Sequence, residues 1–284
     1  MKIFLFAFSL FLFVSETFSQ DKKAYQIFTA QGKKTHYKKM LKTAEKADIV
    51  LFGEQHNSAI AHWLQYELTA DLHPRRKLIL GAEMFERDNQ DALTAYTLGE
   101  IDQKAFDTLA RFWSNYKTDY KPLVDFAREN KLEFIATNIP RRYANQVYKQ
   151  GLASLDSLSE KEKSWIVPLP FPFDPELPTY KEMLNMMGDH GTPELVLAQA
   201  IKDATMAHSI LKYFKKDHLF LHYHGAYHSD FYEGIHWYLK LQQPGLKYVT
   251  ISTVTQKNLD KLEESHLKKA DFIIVVDENV TTTY

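Results

Sequence analysis

The stretch that decides the fold of this chain is IVLFGEQH, residues 49–56. It opens with four apolar residues, β-branched at the start and too few for a buried helix, so it predicts a buried strand. A glycine ends the run, and residues 57–58 (Asn-Ser) then offer N-cap chemistry for a helix over 58–72. Glu54 and His56 therefore lie in a strand-to-helix turn at the carboxyl end of a strand. Open α/β sheets place their ligands at such ends.

Alternation of strands and helices continues to the end of the chain. Further apolar runs predict strands at 77–85, 133–137, 218–225, 248–254 and 272–276, with helices between most of them. This order is typical of an α/β fold, in which a mostly parallel sheet is flanked by helices and joined by right-handed crossovers.

Several segments depart from the alternation. Helical insertions are predicted at about 100–131 and 152–192, and the second is rich in proline, which cannot form a central strand because it lacks a ladder donor. Residues 21–34 are predicted to be a loosely held lead-in with some strand character, and 258–265 a short helix.

The first twenty residues differ from the rest of the chain. Lys2 is followed by an apolar run, 3–14, that is too short for an ordinary membrane span, and then by the more polar 15–20. This pattern is typical of a secretory signal peptide at 1–20, ahead of one domain at 21–284, and an uncleaved N-terminal anchor is the alternative. We expect an exported protein, periplasmic or secreted.

The composition excludes several kinds of site. The sequence contains no cysteine, which excludes disulfides, thiolate metal sites and lipid attachment through a cysteine. Any metal must be bound by His, carboxylate, Tyr or Met side chains. The formal net charge of the 284 residues is −1, so bulk electrostatics give no reason to expect a nucleic-acid partner.

Polar side chains follow four of the predicted strands. They are Glu54 and His56, then Glu83, then Asn138 with Arg141, and finally His224 with His228. Because the carboxyl ends of parallel strands meet at one edge of a sheet, we expect these distant residues to converge on one site.

Carboxylates and imidazoles that meet in this way are the usual components of metal and acid–base sites. We therefore predict catalytic roles for Glu54, His56, Glu83 and His228. A divalent metal would be bound by Glu54, His56 and His228, whereas a metal-free site would use Glu54 and His56 as general base and partner. The structural alternative is that Glu54 stabilises the following helix and that His56 bonds a backbone carbonyl.

Other polar residues near these ends have two interpretations each. Glu83 follows apolar residues, so it needs a ligand or a salt bridge, to Arg87 or Arg141. His62 shares a helix face with Gln65 and either leans over the site or faces solvent.

On a later, mainly apolar helix, Gln199 and Asp203 share one face and are either polar support for the site or part of the helix surface. His222 lies deeper in its strand than His224, and we expect it to be a hydrogen-bonded core histidine.

Several short motifs carry a family resemblance. In order they are GEQH with His62 and Gln65, AEMFERDNQ (82–90), ATNIPRR (136–142), AQAIKDATMA (198–207), HGAYH (224–228) and EGIHWYL (233–239). Over roughly residues 45–240 this series resembles the ChaN-like family of haem-binding, iron-regulated bacterial proteins. That family belongs to a wider group with the Tiki-type metalloproteases and the erythromycin esterase-like proteins.

The resemblance implies an extracytoplasmic haem-binding protein of iron or haem uptake, with a Tyr or His ligand to the iron and with Arg141 or Arg142 pairing with haem propionates. We assign cofactor contacts to His62, Asn138, Arg141, His224 and Asp203. We also expect the protein to form a homodimer or to interact with an outer-membrane haem-uptake partner. The alternative function is a hydrolase, an esterase or peptidase, that uses the GExH and GxxH motifs, matched here by Glu54, His56, Gly225 and His228.

Overall fold

A mixed sheet forms the centre of the computed structural model, which describes residues 22–186, 188 and 191–284. Its eight strands are β1 Tyr25–Thr29, β2 Lys34–Thr35, β3 Ile49–Glu54, β4 Lys77–Glu86, β5 Glu133–Asn138, β6 His218–Gly225, β7 Tyr248–Gln256 and β8 Phe272–Asp277. Their order across the sheet is β2-β1-β8-β7-β3-β6-β4-β5. The predicted signal peptide at 1–20 lies outside the described residues.

Helices cover the sheet. They are α1 Tyr37–Ala44, α2 Ala59–Leu72, α3 Gln90–Thr97, α4 Gln103–Leu109, α5 Lys121–Asn130, α6 Arg141–Gln150, α7 Glu160–Lys163, α8 Pro178–Met186, α9 Pro193–Tyr213 and α10 Ile235–Gln242. A π-helical turn at Tyr116–Tyr120 leads into α5. Within the described part of the chain, none of these helices combines the length and the apolar character that a bilayer crossing requires.

The predicted α/β fold is confirmed. Strand β3 pairs in parallel with β6 on one side and with β7 on the other, and β4 pairs in parallel with both β6 and β5. All six residues of β3 are buried, which explains why its sequence is a continuous apolar run without polar alternation. The predicted helix after it begins after Ser58, whose hydroxyl accepts from the Ala61 N–H.

The strand character predicted within residues 21–34 is confirmed, since residues 25–29 form β1. The segment is not loosely held, because β1 pairs antiparallel with β8 over its whole length. This pairing joins segments more than two hundred residues apart, and no local pattern indicates it. The predicted helix at 258–265 was also wrong, since only a 3-10 turn at Glu264–His266 forms there.

The two faces of the sheet pack against separate apolar cores. Val50 and Phe52 of β3 face one core with α1, α2 and α5, whereas Ile49 and Leu51 face the other with α6, α9 and α10. Because successive side chains of a strand point to opposite faces, the apolar run at 49–52 supplies both cores at once.

Gly53 allows the chain after β6 to approach β3 closely. A Cβ atom at Gly53 would lie 2.7 Å from the Ala226 Cα and 3.1 Å from the Ile251 carbonyl oxygen. Both contacts are with backbone, which cannot turn away as a flexible side chain can. The glycine therefore sets the distance between the turn after β3 and the turn after β6.

We predict that Gly53→Ala lowers the free energy of unfolding by about 1–3 kcal/mol, as overpacking typically does. Gly245→Ala is the matched control, because a Cβ there meets no atom within 4 Å. Urea unfolding of both variants measures the difference. Equal stability of the two would show that this close approach does not constrain the sheet.

Candidate functional site

The carboxyl ends of β3, β6, β4 and β5 lie side by side along one edge of the sheet. Glu54, the last residue of β3, is in register with Gly225, the last residue of β6. Glu86 at the end of β4 is likewise in register with Asn138 at the end of β5. The predicted strand ends therefore meet at one edge.

Glu54 and His56 form a hydrogen-bonded pair at the end of β3. His56 Nδ1 lies 3.0 Å from Glu54 Oε1, and no hydrogen bond joins its Nε2 to any described residue. The Glu54 side chain is fully buried, whereas 37% of the His56 side chain is exposed. The buried carboxylate thus orients an imidazole whose other nitrogen remains available.

Three further side chains surround the Glu54 carboxylate. The Tyr120 hydroxyl donates to Oε1 and the Gln65 amide donates to Oε2, both at 2.7 Å. His62 Nδ1 lies 3.4 Å from Oε2, at an angle that does not make a hydrogen bond. His62 and Gln65 therefore support Glu54 from α2, and neither leans over the open edge.

Sequence reasoning missed Tyr120 and Asn115 as site residues. Asn115 donates to the His56 carbonyl and to the Asp119 carboxylate, so it supports the turn that carries His56. Both residues belong to the π-helical turn before α5 or adjoin it. The aromatic content of this loop was the only signal, and it is equally typical of core packing.

The charges near His56 favour its protonated form. Burial acts to lower the pKa of His56, but the hydrogen bond to Glu54 and the charges of Glu83 and Glu54 raise it above the ordinary value. The imidazole is therefore a stronger base than a free histidine.

A second histidine lies between two carboxylates. His228 Nε2 is 3.1 Å from Glu83 Oε1, and its Nδ1 contacts Asp203 and the Gln199 amide. All four side chains are buried. The interpretation of Gln199 and Asp203 as helix surface was therefore wrong, because both contact His228 from α9.

The salt bridge to Arg87 or Arg141 that was one interpretation of Glu83 does not form. The Arg87 guanidinium instead donates to the Ala136 carbonyl and to the Tyr213 hydroxyl. Glu83 Oε2 accepts from the Gly225 N–H at 2.8 Å, and its other oxygen faces His228.

His228 is held as an imidazolium. Burial acts to lower its pKa, but the carboxylates of Glu83 and Asp203 outweigh burial and raise the pKa to about 10. Burial likewise acts to raise the pKa of Glu83, but the His228 charge and hydrogen bond hold it well below its usual range. Each charge is thus stabilised by the other in an environment where neither is stable alone.

The two pairs meet at Gly225. A Cβ atom at this position would lie 2.8 Å from His56 Nε2 and 3.6 Å from Glu83 Oε2. The His56 ring therefore covers the end of β6, and only glycine leaves space for it. This contact brings the half-exposed His56 and the buried Glu83–His228 pair to one place.

His222 and His224 form a buried chain of neutral groups. Their Nδ1 atoms lie 3.0 Å apart, and the outer nitrogens contact the Thr137 and Ser229 hydroxyls at 2.7 Å. Burial lowers the pKa of both, that of His224 to about 3. His222 is the hydrogen-bonded core histidine that we expected. The cofactor contact assigned to His224 does not fit this position, because both of its nitrogens are already engaged.

Asn138, Arg141 and Asp203, which were assigned to the cofactor, and Arg142, the alternative propionate partner, have different surroundings. Asn138 is buried, and its side-chain oxygen makes no hydrogen bond with the described residues. Arg142 pairs with Asp88 and lies over the Tyr143 ring. Arg141 is exposed and makes no ion pair with any residue that the structure describes. Asp203 is fully buried against His228, so it acts through that histidine and does not line the open edge.

The predicted metal ligands are not arranged as a ligand set. Among the described residues, no group of three or more His, Asp or Glu side chains is placed to hold an ion. Both nitrogens of His228 face carboxylates, and both oxygens of Glu54 accept hydrogen bonds. The expected site of Glu54, His56 and His228 around a divalent metal is thus not supported.

Comparisons with known proteins agree with this fold. A family model described as haem-binding uptake, Tiki superfamily, ChaN matches residues 40–239. The structure of ChaN of Campylobacter jejuni, described by its cofacial haem binding, is similar with a TM-score of 0.67 and 18% identity, covering 89% of this chain and 97% of that one.

Two further solved structures are similar. A Bacillus cereus protein gives a TM-score of 0.51 at 12% identity, covering 84% of this chain and 90% of that one. A succinoglycan biosynthesis protein gives 0.52 at 11% identity, with 86% and 91% covered. At such identities the likenesses concern the fold alone. No curated protein sequence matches the chain.

We predict that the Glu83–His228 pair makes stability depend on alkaline pH. A pKa raised from 6.5 to about 10 contributes stability that is fully present below pH 6.5 and is lost as the pH rises through 10. Glu83→Gln removes one of the two carboxylates, so it flattens this dependence and lowers stability at pH 7 by about 2–3 kcal/mol.

Urea unfolding between pH 6 and pH 10 measures both effects. Glu129→Gln, at an exposed position of α5 with no ion pair among the described residues, is the control for loss of a carboxylate and leaves the pH dependence unchanged. An unchanged slope in Glu83→Gln would contradict an imidazolium at His228.

Proposed function

The chain belongs to the haem-binding uptake family ChaN of the Tiki superfamily, and from this premise we propose that it is an extracytoplasmic protein that binds haem for iron uptake. In this proposal the haem lies at the carboxyl edge of the sheet, beside His56. The single observation that carries the proposal is the oriented, half-exposed His56 at this edge of a chain of that family.

His56 has the properties of a ligand to haem iron. Haem proteins use histidine as an axial ligand, and a ligating histidine usually donates its other N–H to a carboxylate or carbonyl. Glu54 is that carboxylate, because it lies 3.0 Å from His56 Nδ1. Glu54 holds one proton at Nδ1, and iron of a bound haem would displace the other proton from Nε2 and bind its lone pair.

The nearby tyrosines are less suitable as ligands. A tyrosine binds iron as the phenolate, so a raised pKa opposes ligation. Burial, together with Glu54, raises the pKa of Tyr120 far above its ordinary value, and burial with neighbouring carboxylates also raises that of Tyr227. Both hydroxyls already donate, to Glu54 and to the Thr179 carbonyl.

The surroundings of His56 fit the other parts of a haem. The Trp113 ring lies 4.9 Å from the His56 ring in an edge-on arrangement, which gives an apolar wall beside the proposed ligand.

Arg141 is the better candidate for a propionate partner, because Arg142 is already paired with Asp88. A guanidinium binds a carboxylate with two parallel hydrogen bonds. Arg141 follows β5, three strands from β3, which corresponds to about 14 Å at the usual spacing of strands.

Export is part of the proposal. It is supported by the positive start and the short apolar run of residues 2–14, which are typical of a signal peptide. A homodimer and an outer-membrane haem-uptake partner stay predictions.

Titration of the purified protein with haemin tests this function. We expect a shifted Soret band of defined stoichiometry, with the affinity reduced at least about tenfold in His56→Ala because the imidazole that would hold the iron is lost. Arg141→Ala weakens binding by no more than about fivefold, as one exposed ion pair contributes at most about 1 kcal/mol. His36→Ala, an exposed histidine at the start of α1, is the matched control.

Two results would contradict the proposal. If the wild-type protein gives no shifted Soret band, it does not bind haem at all. If His56→Ala binds haemin as tightly as His36→Ala and with the same spectrum, haem binds elsewhere on the protein.

A metal-free hydrolase is the second candidate, and the Glu54–His56 pair is the observation that favours it. His56 Nε2 can accept a proton from an attacking water or hydroxyl, and Glu54 then stabilises the imidazolium that forms. Glu83 adds a further negative charge near His56. The metal-dependent version lacks the ligand set described above, so we do not propose it.

For this second candidate we predict hydrolysis of a small chromogenic ester such as p-nitrophenyl acetate. Loss of the general base in His56→Ala lowers the rate by about 10²–10⁴-fold, and Glu54→Gln lowers it in the same direction. The rate in the presence of EDTA is unchanged. Turnover that survives in His56→Ala at the level of His36→Ala would rule out this function.

A further inference from the structure

Basic loops converge at the edge of the sheet opposite to His56. The sequence PRRK, residues 74–77, leads into β4, Lys131 precedes β5, and KKDH, residues 215–218, leads into β6. Strands β6, β4 and β5 are neighbours in the sheet, and Lys77 is in register with His218. The same parallel order that gathers the carboxyl ends thus gathers these positive charges at the amino ends.

These loops surround a cleft of about 490 Å³. Its basic lining residues are His73, Arg75, Arg76, Lys77, Lys131 and His218. Glu133 is the carboxylate that lines it, and that side chain forms a salt bridge with Lys215. We call this group of six residues the basic cleft.

Most charges of the basic cleft are not neutralised by the protein. Lys77 and Lys131 are exposed and make no ion pair with any described residue. Arg76 donates to the carbonyls of Glu45 and Ala47, so its guanidinium is fixed in place without a carboxylate partner. Arg75 lies 3.6 Å from Glu45, in a pair that is largely exposed and therefore weak.

Such crowding of like charges is unfavourable unless an anion offsets it. A fixed guanidinium presents a planar set of donors that matches a phosphate group, and flexible lysines add mobile positive charge around it. The basic cleft combines the two types. The formal net charge of the whole chain is −1, so this concentration of positive charge is local and does not follow from composition.

We propose that the basic cleft binds a phosphate group, either as the headgroup of an anionic phospholipid or as a free phosphate. The cleft lies at the amino ends of strands whose carboxyl ends carry the His56 site. Six to ten residues of strand separate the two edges, about 20–30 Å at the usual rise per residue. The proposal is therefore independent of haem binding and of hydrolysis.

The double variant Lys77→Glu with Lys131→Glu tests this site. Its matched control is Lys104→Glu with Lys257→Glu, which changes net charge equally at exposed positions outside the cleft. One arm measures cosedimentation of the mature protein with vesicles of phosphatidylglycerol in phosphatidylcholine, and with phosphatidylcholine alone. The other arm titrates inorganic phosphate by calorimetry.

We expect salt-sensitive binding in one of the two arms. Binding weakens at least about 30-fold in the cleft variant, since each basic residue near an anionic surface contributes about fivefold, and it is nearly unchanged in the control. Binding to phosphatidylglycerol vesicles alone identifies a lipid headgroup, whereas saturable binding of inorganic phosphate identifies a free phosphate.

Two outcomes would overturn the proposal. One is that the wild-type protein binds neither probe, and the other is that the cleft variant binds as the control does. Thermal unfolding establishes that each variant is folded. If the double variant is not folded, Lys131→Glu alone, at an exposed position, gives the same comparison with Lys104→Glu.

Discussion

The buried carboxylate of Glu54 is the constraint on which the site depends. A charge at the end of a fully buried strand is stable only when hydrogen bonds replace the water that it has lost. Gln65 of α2 and Tyr120 of the π-helical turn provide two of these bonds, and His56 provides the third. Each comes from a different part of the chain, so the charge ties α2 and the turn before α5 to the end of β3. The orientation of His56 is a consequence of this requirement.

Much of the fold follows from the sequence because the strands at the centre of a parallel sheet are buried on both faces. Such strands must be continuous apolar runs, and the run before Glu54 is of this kind. Polar residues that end these runs must then lie at the carboxyl edge, which is why the meeting of Glu54, Glu83 and His228 could be predicted. The position of β1 in the sheet could not be predicted, since β1 lies between β2 and β8, and β8 follows it by more than two hundred residues.

The finer parts of the site depend on geometry that spacing does not reveal. The contact of Tyr120 with Glu54 depends on a π-helical turn at Tyr116–Tyr120, whose register differs from that of an α-helix and which no sequence pattern indicated. The difference between His224 and His228 has a similar origin. A 3-10 turn at 226–228 redirects the chain after β6, so that the His228 side chain contacts Glu83. The His224 side chain, which precedes the turn, instead stays buried and contacts Ser229.

Carboxylates contact both histidines of the site, but the two imidazoles differ in whether a nitrogen is left to bind a ligand or a proton. His228 has a carboxylate on each side and is buried, so its charge is fixed and both nitrogens are occupied. His56 has a carboxylate on one side only and is partly open to solvent. A nitrogen of a partly exposed imidazole that a buried acid orients could bind either a metal of a cofactor or a proton from a substrate. The proposed haem ligation and the proposed hydrolysis would therefore use the same atom, and an iron bound at Nε2 would remove the base that hydrolysis needs.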